Sequence, residues 1–261
     1  MTTSPAAGKT VVVTGAGGGL GKVLASALLD AGANVAVCDV NETRLKETAT
    51  EWEAKHDASK FIATIANITD EASVTKFFSD VSAKFGRVDM LINNAGIMDK
   101  FDAAGTTDLD LWNQVINVNL TGAFLCTKAA VNVFEAQTPV GGTIINIASI
   151  AALRGLNAGA AYTVSKHGLL GLMRNTAGFY GPKGIYSVAF LMGAMETNIF
   201  EKAMAEGFNQ EGMGKMMEAN PGQTMLNLPD VASYCVFLSD SNMAKLVNGS
   251  TISLSNNWPS Q

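Results

Sequence analysis

The sequence predicts an α/β protein with a doubly wound parallel sheet of about seven strands, flanked by helices on both faces. Short apolar runs rich in Val and Ile alternate with longer helical patterns along the 261 residues. The runs are mostly apolar along their whole length, which is typical of strands covered on both faces. Strands that alternate with helices form βαβ units and therefore a parallel sheet. No linker or shift in composition divides the chain, so we expect residues 1–261 to form a single domain.

The first four strands each precede a helical pattern. They are TVVVT (10–14), NVAVCDV (34–40), FIATIA (61–66) and DMLIN (89–93), and the helices are expected near 20–31, 42–56, 70–84 and 109–136. A cluster of glycines separates the first strand from its helix. Asn41 can cap the start of the second helix, because Asn accepts hydrogen bonds from the free N–H groups there.

The second half continues the alternation but contains an insertion. Strands are expected at 142–149, 185–191 and 250–254, and helices at 160–180 and 229–239. Residues 192–228 between them hold five glycines and seven of the twelve methionines. Long irregular insertions are often functional, and Met suits adaptable apolar surfaces. We expect this insertion to cover a substrate; a helical pair that packs on the core is the alternative.

Composition and charge exclude several classes of function. The net charge is 18 − 23 = −5 without a basic stripe, which argues against a nucleic-acid partner. The N-terminus resembles no signal segment, and no apolar run approaches the roughly 18 residues of a membrane span. Three dispersed cysteines indicate a reducing compartment, so we expect a cytoplasmic protein with no membrane partner. Two distant histidines and no paired cysteines argue against a metal site.

The first glycine cluster predicts a dinucleotide site. The sequence TGAGGGLG follows a strand and opens a helix, where glycines permit close approach and the helix N-terminus binds phosphate. Its cofactor-binding candidates are Gly15, Gly17, Gly18, Gly19, Leu20 and Gly21. Asp39 ends the second strand, where a carboxylate accepts hydrogen bonds from ribose hydroxyls and repels a 2′-phosphate. The sequence therefore favours NAD(H) over NADP(H).

Tyr162 and Lys166 suggest acid–base chemistry. They are four residues apart on one predicted helix and therefore lie on the same face. A cation beside a phenol favours the phenolate, so we expect Lys166 to lower the pKa of Tyr162 from about 10 towards neutrality. Such a phenol would be a usable proton donor near neutral pH.

Five motifs in order resemble the classical short-chain dehydrogenase/reductase family over roughly residues 8–200. They are TGAGGGLG (14–21), NNAG (93–96), NVNLTG (117–122), IAS ending at Ser149, and YTVSK from Tyr162. The resemblance implies a Rossmann-like domain and an oxidoreductase that acts on CH–OH or C=O with NAD(H). It also implies a homo-oligomer, a tetramer or dimer built on helices 109–136 and 160–180.

The resemblance assigns roles to individual residues. Tyr162 would be the general acid, Lys166 would lower its pKa and hold the nicotinamide ribose, Ser149 would hydrogen-bond the reacting oxygen, and Asn119 would hold a water. Further cofactor-binding positions are Val40, Asn67, Ile68, Asn94, Ala95, Gly96, Gly193, Met195 and Thr197, together with Tyr162 and Lys166.

The sequence departs from the family pattern near the expected substrate pocket. Val188 and Met192 stand where the family usually has Asn and Pro, and Asn67 stands where Asp is common. The candidate substrate residues Met98, Leu153, Leu156 and Met192 are uncharged, so we expect a small-molecule substrate that is a largely apolar ketone or alcohol. Two alternatives remain open: a catalytically silent dinucleotide-binding regulatory module, and a site repurposed for a step such as cyclisation or dehydration.

Overall fold

The chain builds one seven-stranded sheet in which all paired strands are parallel. The computed structural model describes residues 4–259. The strands are β1 (Thr10–Thr14), β2 (Asn34–Asp39), β3 (Phe61–Ile65), β4 (Met90–Asn93), β5 (Gly142–Ile147), β6 (Ile185–Met192) and β7 (Thr251–Leu254). Their order in the sheet is β3-β2-β1-β4-β5-β6-β7. This confirms the predicted fold class. The order reverses between β1 and β4, and ligands bind in the crevice at such a point in open α/β sheets.

Helices connect the strands along the described chain. They are α1 (Gly19–Asp30), α2 (Glu42–Glu53), α3 (Glu71–Phe85), α4 (Leu109–Ile116), α5 (Ala123–Ala136), α6 (Ala160–Tyr180), α7 (Glu201–Glu206), α8 (Gln210–Ala219), α9 (Leu228–Phe237) and α10 (Ser241–Leu246). The predicted bounds of α6 are confirmed. Asn41 caps α2 as predicted, because its side chain accepts a hydrogen bond from the N–H of Arg44 at 3.1 Å.

Three sequence predictions of helices need correction. The single helix expected at 109–136 is divided into α4 and α5 by a π-helical segment, Asn117–Gly122. The insertion is not irregular throughout, since it contains α7 and α8. The short helix α10 was not predicted, because six residues are too few to show a helical period.

Alternating side chains of each strand supply two separate hydrophobic layers. Val11 and Val13 of β1 pack in a cluster with Leu24 of α1, whereas Val12 packs on the opposite face with Phe77 of α3. All five side chains are at most 2 % exposed. Burial of a Val, Leu or Phe side chain stabilises a fold by about 1.5–3 kcal/mol. Because both faces of β1 are buried, its three central residues are all apolar instead of alternating with polar ones.

Within residues 4–259, the helices are all too short or too polar to cross a membrane.

Candidate active site

A cleft of about 760 Å³ lies where the turn after β1 faces the ends of β4, β5 and β6. Its volume is within the range of small-molecule sites. The structure brings most of the sequence-predicted residues to its walls. These are Gly15, Gly18, Gly19, Leu20, Gly21, Asp39, Val40, Asn67, Ile68, Asn94, Ala95, Gly96, Ser149, Tyr162, Lys166, Met192, Gly193, Met195 and Thr197.

The turn after β1 requires glycines, because a side chain at two of its positions would collide with neighbouring atoms of the protein. Gly15 has φ +65°, and a Cβ on it would lie 2.7 Å from Cα of Ala95. A Cβ on Gly21 would lie 2.5 Å from Nδ2 of Asn94. The turn then enters α1 at Gly19, whose first N–H groups have no partner within the helix. A cradle of this shape at a helix N-terminus suits the pyrophosphate of a dinucleotide.

Asp39 is held rigidly at the adenosine end of the cleft. Its Oδ2 accepts a hydrogen bond from the N–H of Gly17 at 2.8 Å, and its Oδ1 accepts one from the N–H of Asn41 at 2.8 Å. Each oxygen keeps a second lone pair for a ribose hydroxyl. Gly17 itself does not line the cleft, and a Cβ there would lie 2.9 Å from Oδ2 of Asp39. The geometry gives Gly17 the task of orienting Asp39.

An ion pair beside Asp39 was not predicted from the sequence. Arg44 of α2 and Glu201 of α7 line the cleft and pair with each other, and Asn198 also donates a hydrogen bond to Glu201. Arg44 and Glu201 are 157 positions apart, so no local pattern predicts their contact. The structure thus places the Arg44 guanidinium at this end of the site, with its charge balanced by Glu201.

The proton-transfer candidates come together as predicted. Tyr162 and Lys166 of α6 are buried, with 8 % and 3 % of their surfaces exposed. The Lys166 Nζ lies 5.4 Å from the centre of the Tyr162 ring and donates a hydrogen bond to the carbonyl oxygen of Ile147 at 2.9 Å. The Ser149 hydroxyl also lies close enough to the Tyr162 phenol to lower its pKa. The helical spacing and the end of β5 therefore bring the phenol, the ammonium and the hydroxyl to one point.

The predicted direction of the Tyr162 pKa is wrong. Burial raises the pKa of Tyr162 above its ordinary value, the neighbouring Ser149 hydroxyl acts against this rise, and the charge of Asp99 adds to it. Burial also lowers the pKa of Lys166 to about 8. Because the ammonium is itself desolvated and lies beyond hydrogen-bonding distance of the ring, it does not offset the burial of the phenol. Tyr162 is consequently a protonated acid at neutral pH.

Asn119 lies in the π-helical segment, a rare geometry often found at functional sites. Its Oδ1 accepts a hydrogen bond from the N–H of Ile97 at 2.8 Å, and its Nδ2 donates to the Ile97 carbonyl at 3.0 Å and to Ser165 Oγ at 3.1 Å. Asn119 does not line the cleft, but it fixes the chain beside Gly96. Its assignment to a water relay stays a prediction.

The four substrate candidates do not share one wall. Met192 is buried and lines the cleft, and Met98 packs in the cluster that contains Tyr162. Leu153 is 55 % exposed and faces a separate cavity of about 250 Å³, while Leu156 is 47 % exposed. A 3₁₀ turn over Ile150–Ala152 carries the chain away from Ser149, which explains why Leu153 and Leu156 are not in the cleft.

Two apolar residues near the phenol were not predicted. Trp112 and Ile199 pack against the Tyr162 cluster, and Ile199 also lines the cleft. They come from α4 and from the insertion, so only the tertiary structure brings them together.

Residues 4–259 contain no group of three or more His, Cys, Asp or Glu side chains that could hold a metal ion.

Residues 9–207 match the family model described as short chain dehydrogenase. The chain belongs to this family. It is 44% identical over 256 residues to the short chain dehydrogenase/reductase dpchG of Colletotrichum higginsianum, covering 97% of this chain and 95% of that one. It is 33% identical over 258 residues to 3beta-hydroxysteroid dehydrogenase 2 of Eggerthella lenta, covering 97% and 95%.

A solved structure of the same family has the same fold. It is the 3-ketoacyl-(acyl-carrier-protein) reductase from Brucella melitensis complexed with NADH, with a TM-score of 0.82 and 27% identity. The match covers 96% of this chain and 98% of that chain. The resemblance inferred from the five motifs is thus confirmed, and the protein is a short-chain oxidoreductase whose family binds a nicotinamide dinucleotide.

Proposed function

We propose that this short-chain dehydrogenase interconverts a secondary alcohol and a ketone with NAD(H), on a largely apolar substrate. The observation that carries the proposal is the buried Tyr162, with the Lys166 ammonium 5.4 Å from its ring and the Ser149 hydroxyl close enough to the phenol to lower its pKa. A binding module has no need of a buried phenol and a buried ammonium at one point, because each costs free energy to desolvate.

The three side chains divide the proton transfer between them. A bound nicotinamide cofactor supplies or accepts the hydride. In reduction, Tyr162 donates its proton to the carbonyl oxygen of the substrate, and Ser149 donates a hydrogen bond to the same oxygen as negative charge develops on it. Lys166 then stabilises the phenolate that forms on Tyr162 when its proton has been transferred. The raised pKa of Tyr162 suits the donor role, since the phenol stays protonated until the carbonyl oxygen becomes basic.

NAD(H) is the cofactor that the adenosine end favours. The Asp39 carboxylate faces the cleft with both oxygens fixed, and its charge opposes a 2′-phosphate. Arg44 could attract that phosphate, but Glu201 already balances its charge. The related reductase from Brucella melitensis is complexed with NADH, which supports the same choice.

The surroundings of Tyr162 support an apolar substrate. Met98, Ile97, Trp112 and Ile199 pack against its cluster, and Met192 lines the cleft nearby. A carboxylate or phosphate on the substrate would be desolvated against these side chains without a partner, which is costly. One relative is named a 3beta-hydroxysteroid dehydrogenase, and a hydroxysteroid carries a hydroxyl group on an apolar framework. In this proposal the insertion covers the substrate through Ile199 and Met195.

A homo-oligomer is part of the proposal. Phe124 of α5, and Val164 and Phe179 of α6, are 45–70 % exposed, on the two helices that the family resemblance assigns to subunit contacts. Light scattering at micromolar concentration tests this assignment, and a monomer would refute it.

Steady-state kinetics with a substrate panel tests the function. The panel pairs neutral cyclic and aryl ketones with carboxylated analogues of the same size, each with NADH and with NADPH. We expect the neutral ketones and NADH to give the higher kcat/KM. Preference for the anionic analogues would refute the apolar site, and preference for NADPH would refute the role of Asp39.

A further inference from the structure

Asp99 is a buried carboxylate that the catalytic roles above leave unused. It lies six residues beyond the end of β4 and is 1 % exposed. Its Oδ1 accepts hydrogen bonds from the N–H groups of Phe101 at 3.1 Å and Gly159 at 3.0 Å, and its Oδ2 accepts one from the N–H of Tyr162 at 2.9 Å. Burial of a charge is tolerated only with partners of this kind.

Two of these donors belong to the N-terminal end of α6. The N-cap position of α6 is Gly159, which has no side chain to satisfy the free N–H groups. Asp99 takes over this task from another segment of the chain, and the N–H that it binds at the third helical position is that of Tyr162 itself. The backbone of the proton donor is thus tied directly to the Asp99 carboxylate.

Gly159 is shaped to receive this carboxylate. A Cβ on Gly159 would lie 2.6 Å from Oδ2 and 2.7 Å from Oδ1 of Asp99. The backbone of Gly159 is extended, with φ −74° and ψ 179°, which is the ordinary conformation of an N-cap residue. Glycine is therefore required at position 159 because a side chain would collide with Asp99, whereas the backbone conformation alone does not require it.

The residues after Asp99 connect α6 to the insertion. The N–H of Ala160 donates a hydrogen bond to the Asp102 carbonyl at 2.8 Å. From the insertion, the N–H of Asn209 donates to the Lys100 carbonyl at 2.9 Å, and Nδ2 of Asn209 donates to Oδ1 of Asp102 at 2.7 Å. One short segment, residues 99–102, is hydrogen-bonded both to the start of α6 and to the insertion.

We propose that Asp99 is the positioning residue of the catalytic helix: it fixes the first turn of α6, and with it Tyr162, while the insertion holds the segment 99–102 in place. The proposal rests on the proposed function, because it assumes that Tyr162 transfers the proton. Asp99 acts through the backbone of Tyr162 and touches neither substrate nor cofactor. A displacement of about 1 Å at a reacting group can cost on the order of 10² in rate.

The test removes the carboxylate and then restores only the cap. Asp99→Ala deletes the acceptor and also empties the space that a side chain at 159 would need. The double variant Asp99→Ala/Gly159→Ser places a hydroxyl at the N-cap, where Ser accepts a hydrogen bond from the second or third helical N–H. Asp240→Ala is the matched control, because Asp240 caps α10 through Asn242 and neither it nor its sequence neighbours line the cleft.

Three quantities are measured for each variant: kcat, the Kd for NADH by fluorescence, and hydrogen exchange of the peptide covering residues 159–166. We expect Asp99→Ala to lower kcat by about 10- to 100-fold and to expose the amides of the first turn of α6, with the Kd for NADH changed by less than threefold. The double variant should recover most of the kcat and of the amide protection. Asp240→Ala should leave kcat unchanged.

Asp99→Ala with the kcat of the wild type would overturn the proposal, and so would a double variant that regains amide protection without kcat. If Asp99→Ala does not fold, Asp99→Asn, which keeps one acceptor oxygen, must show a smaller loss of the same kind. Wild type that reduces no ketone would contradict the proposed function instead. In that case, unchanged exchange of the first turn in Asp99→Ala would still refute the anchoring role.

Discussion

Lys166→Met should abolish the part of the pH dependence of stability that comes from the buried Lys166 ammonium. Burial lowers the pKa of Lys166 from 10.5 to about 8 in the folded chain, whereas in the unfolded chain the ordinary value applies. Between pH 8 and 10.5 the unfolded state therefore binds a proton that the folded state lacks. Stability rises with pH wherever the unfolded state binds more protons. The penalty for burying the ammonium is complete below pH 8 and is progressively removed as pH rises through this window.

The size of the effect follows from the two pKa values. Each pKa unit corresponds to about 1.4 kcal/mol, so the whole window corresponds to about 3 kcal/mol. Between pH 7.5 and 9.5, where Lys166 loses its proton in the folded state but keeps it in the unfolded state, the free energy of unfolding should rise by about 2 kcal/mol in wild type relative to Lys166→Met. Lys166 is 3 % exposed, so solvent screening reduces this figure little.

Urea unfolding at pH 7.5 and 9.5, without cofactor, measures the difference. Groups other than Lys166 titrate alike in both proteins and cancel, including Tyr162, whose raised pKa acts in the opposite direction above pH 10. Equal pH slopes for the two proteins would refute the buried, depressed ammonium and the electrostatics of the site built on it.

Three further substitutions test the cofactor end. Gly21→Ala should weaken NADH binding at least tenfold in a fluorescence titration, because the new methyl group collides with Asn94; Gly105→Ala, where the methyl group meets open space, is the control, and equal affinities would contradict the fit. Asp39→Ser should raise the KM for NADH and lower the ratio of NADH to NADPH efficiency by an order of magnitude or so, and an unchanged ratio would remove Asp39 from discrimination. Glu201→Gln should lower the KM for NADPH several-fold, because Arg44 is freed to bind a 2′-phosphate, while the KM for NADH stays constant; no change would show that Arg44 does not reach that phosphate.

The sheet was predictable because its determinants are local. Both faces of β1 and β4 are buried, so each strand contains a run of three apolar residues that stands out between the more polar helices. The Tyr162 and Lys166 pair was predictable for the same reason, since helical spacing alone places them on one face. The interruption of the helix after Ile116 was not predictable, because the residues of the π-helical segment fit the same helical pattern as the α-helices on either side of it.

What the sequence could not supply were contacts across long separations and their electrostatic balance. The direction of the Tyr162 pKa depends on burial among α4, α6 and the insertion, and the sequence shows only the neighbouring cation. Asp99 binds residues 60 and 63 positions away, and as an isolated Asp in a loop it carries no pattern. Leu153 was predicted to be a substrate residue, but a single 3₁₀ turn directs it to another cavity.

The most direct test of the central claim is the rate of hydride transfer in a single turnover, comparing Tyr162→Phe with Tyr180→Phe. Both changes remove one phenolic oxygen from α6, but Tyr180 is the last residue of the helix. With NADH and the best ketone of the panel, Tyr162→Phe should be slower by on the order of 10²–10⁴ with unchanged NADH affinity, and Tyr180→Phe should equal wild type. A Tyr162→Phe variant as fast as wild type would contradict the assignment of Tyr162 as the proton donor.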